Sequence, residues 1–250
     1  MARVFITGST DGLGLAAART LIDEGHEVVL HARSRKRAAA LSDLAQRANG
    51  VALGDLSSAA DTRAVANQVN ALGRMDAVIH NAGVYLETAR GETPEGHART
   101  LAINLLAPYM LTGWIKRPDR LVYLSSGMHH SGGGDESLDD IDWTKRRWNA
   151  SKAYSESKLY LTALALAVAR RWPDALSNAV DPGWVPTKWA APAPPTISRR
   201  GTSPRPGSPS ARTQLRKSAA ATGTTESERS RRRRRWTRTS GRDSSRSSKS

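Results

Sequence analysis

The sequence predicts an α/β fold, an open parallel sheet covered by helices on both faces, and three observations predict it. Short β-branched runs alternate with longer stretches of helical apolar spacing. The first run leads straight into a glycine-rich turn that opens a helix, and the alternation repeats until six strands are placed. Strands separated by helices of this length are joined by right-handed crossovers, so neighbouring strands run parallel and the helices fall on both faces.

Val4 to Thr7 is the first strand, and Leu13 to Glu24 the helix after its turn. Glu27 to His31 is the second strand, followed by a helix from Arg35 to Ala48. Val51 to Leu53 and a helix near Ser58 to Leu72 come next, then Ala77 to His80 and a helix near Gly96 to Ile115. The strand Leu121 to Ser125, the helix Lys152 to Arg171 and a strand near Leu176 to Val180 complete the series. The alternation stops at Trp189, beyond which large apolar residues are limited to Trp189, Ile197, Leu215 and Trp236. Such a segment cannot bury enough surface to offset its ordering entropy, so residues 189–250 read as a disordered tail behind a domain of residues 1–188.

Charge divides at the same place. The tail carries 16 Lys and Arg against 3 Asp and Glu, which leaves 22 and 20 in the domain, or +13 and +2. A nearly neutral domain offers no electrostatic footprint for nucleic acid, and only the tail could. Cysteine is absent, which rules out disulfides and thiolate metal sites and is compatible with a reducing cytoplasm. The N-terminus shows no secretory leader pattern, and no apolar run approaches the roughly 18 to 20 residues of a membrane span. The expectation is a soluble, cytoplasmic protein.

The turn after the first strand reads Thr7-Gly8-Ser9-Thr10-Asp11-Gly12-Leu13-Gly14. Glycines there let the backbone approach a pyrophosphate, and the helix N-terminus offers it free N–H groups and a positive dipole end. The second strand ends in His31-Ala32-Arg33-Ser34-Arg35-Lys36-Arg37. A carboxylate at its end would bind a ribose 2′-hydroxyl, whereas arginine favours a 2′-phosphate, so Arg33 points to NADP(H) over NAD(H). Arg37 reads as the solvated start of the next helix.

Tyr154 and Lys158 stand at i and i+4 of a helix and share a face. A nearby ammonium stabilises phenolate and brings the tyrosine toward a pKa useful for proton transfer. Tyr85, Tyr109, Tyr123 and Tyr160 have Ala89, Gly113, Gly127 and Leu164 at i+4 and cannot form this pair. The fifth strand ends in Ser125-Ser126, at the sheet edge where open α/β folds bind ligands, and either serine could face the cleft. His129 and His130 read as loop residues, because no carboxylate cluster at metal spacing accompanies them.

Taken in order, TGSTDGLG, Asp55, Asn81-Ala82-Gly83, Asn104, Ser125-Ser126, Tyr154 to Lys158 and Asp181-Pro182-Gly183 resemble the short-chain dehydrogenase/reductase family across residues 3 to about 188. The insertion between Ser126 and Tyr154, containing Gly132 to Gly134, and the form Tyr-Ser-x-Ser-Lys resemble its retinol-dehydrogenase-like branch. The resemblance implies a Rossmann-type sheet and hydride transfer between NADP(H) and a small carbonyl or alcohol. It selects Ser126 to bind the substrate oxygen, Tyr154 to exchange its proton, Lys158 to hold the nicotinamide ribose and tune Tyr154, and Asn104 to support a water in the proton relay. It places Gly8, Ser9, Thr10, Gly12, Leu13 and Gly14 around the pyrophosphate, Asp55 and Leu56 by the adenine, and Asn81, Ala82 and Gly83 along the cofactor cleft. Pro182, Gly183, Val185 and Thr187 would close around the nicotinamide, and family analogy implies a dimer or tetramer. Taken singly, Asn104 could be a helix-internal hydrogen bonder, Asp55 a helix cap and Pro182-Gly183 an ordinary turn.

The family pattern should continue after Thr187 with a loop, a helix and a seventh strand, and the tail resembles that continuation read out of frame. Rebuilding each codon from the third base of its predecessor and its own first two bases lets residues 189–198 read Met-Gly-Gly-Pro-Gly-Ala-Pro-Asp-Asp-Leu. Residues 236–248 then acquire helical apolar periodicity. Tryptophan has a single codon, so a glycine at the place of Ala190 and an aspartate at the place of Thr237 are forced, and both fit. The competing readings are a basic arm that contacts nucleic-acid phosphates and a neutral solvated tail.

Overall fold

The computed structural model describes residues 1–133 and 137–183. Gly134, Val185, Thr187, the tail 189–250 and the expectations about a seventh strand all concern residues outside those described.

Six strands form one sheet: β1 (Arg3–Ile6), β2 (Glu27–Ala32), β3 (Gly50–Leu53), β4 (Ala77–His80), β5 (Arg120–Leu124) and β6 (Leu176–Val180). All pairs are parallel, in the order β3-β2-β1-β4-β5-β6. Winding runs outward from β1 to β3, then restarts at β4 on the other side of β1. The carboxyl ends of β1 and β4 therefore flank the switch point where such sheets bind ligands.

The strands alternate strictly. Phe5, Val29, Val78, Leu121 and Tyr123 face one layer, where they meet Val65 and Val69 of α4 (Ala59–Ala71), Leu111 of α6 (Ala107–Trp114) and Leu161 and Ala165 of α7 (Ala150–Arg171). Val4, Ile6, Val28, Leu30, Ile79 and Val122 face the other, with Ala18 and Leu21 of α1 (Gly12–Asp23) and Leu44 of α3 (Ser42–Arg47). Strands covered on both sides read as continuous apolar runs, as the middles of β1, β2, β4 and β5 do. Phe5 is fully buried at the centre, and truncating it to alanine should cost about 3 to 5 kcal/mol.

Helix starts follow side-chain caps. Asp11 caps α1 at Gly12 N–H (2.8 Å), Ser58 caps α4, and Asn149 caps α7 at Lys152 N–H (2.9 Å). The single helix expected over Arg35 to Ala48 is two, α2 (Arg35–Ala39) and α3. The break lets Leu41 and Leu44 both turn into the core, each 6% exposed. The helix expected near Gly96 to Ile115 is α5 (Arg99–Leu101), a π-helical stretch over Ala102–Leu106, and α6. Pro108 explains the irregularity, because it has no N–H to give the Asn104 carbonyl four residues back and its ring crowds that carbonyl.

Candidate active site

The glycine turn is shaped by its neighbours. Gly8 adopts φ +63°, and a Cβ there would stand 2.9 Å from Ala82 Cα, so only glycine lets β1's exit pass under β4's. Thr7 Oγ1 accepts the N–H groups of Asn81 (2.9 Å) and Ala82 (3.0 Å), and Asn81 Nδ2 donates to the carbonyls of Thr7 (2.9 Å) and Gly8 (3.1 Å). The Asn81 amide lies so close over Gly14 that any side chain there would collide with it. Ser9 is fully buried, its hydroxyl taken by the His31 backbone. Leu13 and Gly14, in the first turn of α1, have no helical acceptor for their N–H groups, which leaves these for an anion.

At the ends of β2 and β3, Arg33 is exposed. Arg37 lies in the first turn of α2 with its side chain 38% exposed, as expected from sequence, but its guanidinium also reaches back to Thr10 Oγ1 (3.2 Å) and lies 3.7 Å from Asp11. It thus sits on the glycine turn beside Arg33's strand end. Asp55 Oδ1 accepts both Ser57 N–H (2.9 Å) and Ser57 Oγ (2.8 Å), which builds the turn before α4. The Leu56 side chain is in the core, so any contact with a nucleotide must come from its main chain.

On the other side of the switch point, the two serines separate. Ser125 is turned into α7, bonding Thr162 Oγ1 (2.7 Å) and the Lys158 carbonyl (3.2 Å). Ser126 caps the short 3-10 turn Gly127–Ser131, its hydroxyl accepting Met128 N–H (3.2 Å), and lines the cleft together with Tyr154. Burial raises the Tyr154 pKa, the Ser126 hydroxyl works against this, and Tyr85 and Asp181 raise it further. The lowering expected from Lys158 does not dominate here: its ammonium donates to Leu124 O (2.6 Å) and stands 5.6 Å from the Tyr154 ring centre. Burial brings the Lys158 pKa down to about 8. Asn104, fully buried in the π-helical stretch, accepts Val84 N–H (2.8 Å) and donates to Val84 O (3.1 Å) and Ser157 Oγ (3.0 Å).

Ser126, Tyr154 and Lys158 line a cleft of about 580 Å³ that also takes in Gly12, Leu13, Asn81, Ala82, Gly83, Pro182 and Gly183. Asn104 lies behind Gly83, where a Cβ would stand 3.2 Å from Asn104 Oδ1 and 3.6 Å from Lys158 Nζ. Lining residues to which the sequence reading gave no place in the cleft include Val84, Tyr85 and Met128. Tyr85 meets Tyr154 edge-on at 4.8 Å, and only its position two residues past Gly83 could have signalled it. The insertion is pinned to α7 by Glu156, which takes two bonds from Arg146 (2.9 and 3.0 Å) and one from Trp143 Nε1 (3.0 Å). His129 donates from Nδ1 to Ser126 O (2.6 Å), and among the described residues no group of three His, Cys, Asp or Glu is placed to hold a metal.

Comparison with known proteins agrees with this geometry. The family model described as short chain dehydrogenase matches residues 2–117. A short-chain dehydrogenase of Gibberella zeae is 42% identical over 193 residues, covering 76% of this chain and 73% of that one. An uncharacterized oxidoreductase of Emericella nidulans is 46% identical over 192 residues, covering 75% and 72%. The chain belongs to the short-chain dehydrogenase/reductase family. As a short-chain dehydrogenase/reductase it is an oxidoreductase, and its sheet is the family's Rossmann-type sheet. The blue fluorescent protein from a metagenomic library, solved in complex with NADPH, has the same fold, with a TM-score of 0.60 and 24% identity over 75% of this chain and 76% of its own. Among the described residues no helix is long and apolar enough to cross a membrane.

Proposed function

We propose that this short-chain dehydrogenase/reductase interconverts a small-molecule carbonyl and its secondary alcohol, with NADP(H) as hydride carrier and Tyr154 as proton donor and acceptor. The observation that carries this reading is the meeting of Ser126 and Tyr154 in one cleft, above buried Lys158 and across the switch point from the glycine turn.

The residues present fit a nicotinamide dinucleotide. The turn from Gly8 to Gly14 has the close backbone and free N–H groups that a pyrophosphate needs, and the bare Gly83 leaves the Lys158 and Asn104 floor open to the cleft. Arg33, with Arg37 beside the turn, would favour a 2′-phosphate, while Lys158 would hold the nicotinamide ribose. When bound, the nicotinamide supplies or accepts the hydride. Ser126 Oγ orients the substrate oxygen, and in reduction the Tyr154 hydroxyl gives that oxygen its proton as the carbon gains hydride. Lys158 steadies the phenolate left behind, and Asn104 holds Val84 and Ser157 around the route by which the proton is replaced.

NADPH fluorescence titration with turnover on a panel of ketones and aldehydes tests the reading. Binding with turnover is expected. Binding without any turnover would leave a dinucleotide-binding module in its place, and nucleic-acid binding lost on deletion of residues 189–250 would give the tail a function of its own.

A further inference from the structure

His31, at the carboxyl end of β2, is 3% exposed and lies outside the reaction. Its imidazole sits between two loop exits. Gly8 N–H points at Nδ1 (3.0 Å), and Nε2 faces the Gly54 carbonyl (2.9 Å). A backbone N–H can only donate, so Nδ1 is the acceptor, the ring proton is on Nε2, and Gly54 O receives it. The His31 backbone is engaged as well: Ser9 Oγ accepts its N–H (2.8 Å) and donates to its carbonyl (3.4 Å), which also takes Ser9 N–H (3.3 Å).

One residue thus joins the ends of β1, β2 and β3. What those ends carry gives the joint its meaning: the glycine turn follows β1, Arg33 follows β2 directly, two residues after His31, and Asp55 and Leu56 follow Gly54 directly. These are the groups assigned to pyrophosphate, 2′-phosphate and adenine. An imidazolium could not serve, since it would present an N–H to Gly8 N–H. Burial lowers the His31 pKa, against the opposing pull of the Gly54 carbonyl and of Asp55, which favours the neutral ring.

We propose that His31 is a positioning residue for the adenosine half of the cofactor, its neutral Nε2–H imidazole holding the phosphate turn at a set distance from the adenine loop. The proposal rests on the cofactor reading above. It predicts that loss of the imidazole weakens cofactor binding and leaves the chemical step alone, because His31 touches neither Ser126, Tyr154 nor Lys158.

Two variants of the full chain test it. His31→Phe removes both bonds and leaves a buried N–H and carbonyl unpaired, so the dissociation constant for NADPH should rise about 10-fold or more, with kcat at saturating NADPH within about two-fold. His31→Gln restores an acceptor and a donor, and should recover affinity to within about three-fold of the parent. The apo protein gives a readout independent of turnover: ¹⁵N shifts of the imidazole at neutral pH should show the neutral ring protonated at Nε2, with Gly8 N–H slow to exchange. An imidazolium, an Nδ1–H tautomer or a fast-exchanging Gly8 would overturn the proposal even if both variants failed to fold. NADPH affinity unchanged in His31→Phe would overturn it while leaving the cofactor reading intact, whereas a parent chain that binds no NADPH sinks both.

Discussion

The two sides of the cleft use their polar side chains in opposite ways. On the glycine-turn side, the side chains of Thr7, Ser9, His31, Asp55 and Asn81 are bound to the protein itself, so their effect is to fix where backbone lies. On the β5–α7 side, Ser126 and Tyr154 line the cleft itself, where their hydroxyls can meet a bound molecule. Binding a pyrophosphate needs a shaped main chain, whereas moving a proton needs free functional groups. The first side should therefore tolerate change poorly in affinity and the second in rate.

Tyr154→Phe is the sharpest test of that division. Turnover should fall about 1,000-fold, since only the proposed proton-transfer group is lost, and the dissociation constant for NADPH should stay within about two-fold. Stopped-flow turnover beside fluorescence titration reads both, and comparable losses in the two would erase the distinction between the sides.

The serine pair makes the same cut within two adjacent residues. Ser126→Ala should lose about 100-fold in kcat with little change in melting temperature, because its hydroxyl is the group proposed to orient the substrate oxygen. Ser125→Ala should keep turnover and lose about 1 kcal/mol of stability, the worth of a buried hydrogen bond to α7. If Ser125→Ala were instead the inactive variant, the orientation of the two side chains would be wrong.

Stability against pH probes the side that is held from within. His80 is buried against Tyr123, and burial lowers its pKa to about 3 from 6.5. The unfolded chain takes up a proton near pH 6.5 that the folded chain refuses, so the stabilisation present above pH 6.5 is lost as pH falls toward 3, and His31 acts in the same direction. Urea unfolding at pH 5 should show about 2 kcal/mol less stability than at pH 7.5 from His80 alone. A flat profile over that range would mean that these rings are charged in the fold. A small effect is expected on cofactor choice: Arg33→Ser should raise KM for NADPH about 10-fold and leave KM for NADH nearly unchanged.

The sheet was legible because its signal is local. Each strand is a β-branched run ended by a turn, and all six expected strands form with ends within a residue or two. The cleft residues from Asn81 to Gly83 and from Ser126 to Lys158 were legible through motif order, which burial and distance then explain. What escaped depends on side chains from distant segments. Arg37 looks like one charge in a basic run, and nothing in the run says that it folds back onto Thr10. His31 looks like a polar residue ending a strand, and its two partners are 23 residues away on either side. The split between α2 and α3 follows from where Leu41 and Leu44 find the core, which periodicity within one segment cannot tell.

The π-helical stretch from Ala102 to Leu106 makes chain length, more than residue identity, the quantity to which this region is sensitive. An α-helix advances about 100° per residue, so one added residue rotates all that follows by about that angle relative to all that precedes. Here α5 leans on α7 and α6 leans on α4, with Asn104 at the join. Substitutions at Ile103 or Leu105, which are only half buried, leave that rotation in place. Deleting any one residue between Ala102 and Leu106 would remove it, forcing the helix to give up one of its two neighbours and carrying Asn104 away from Val84. In a set of insertions and deletions scanned along the chain, this five-residue window should stand out as intolerant, although most single substitutions within it would pass unnoticed.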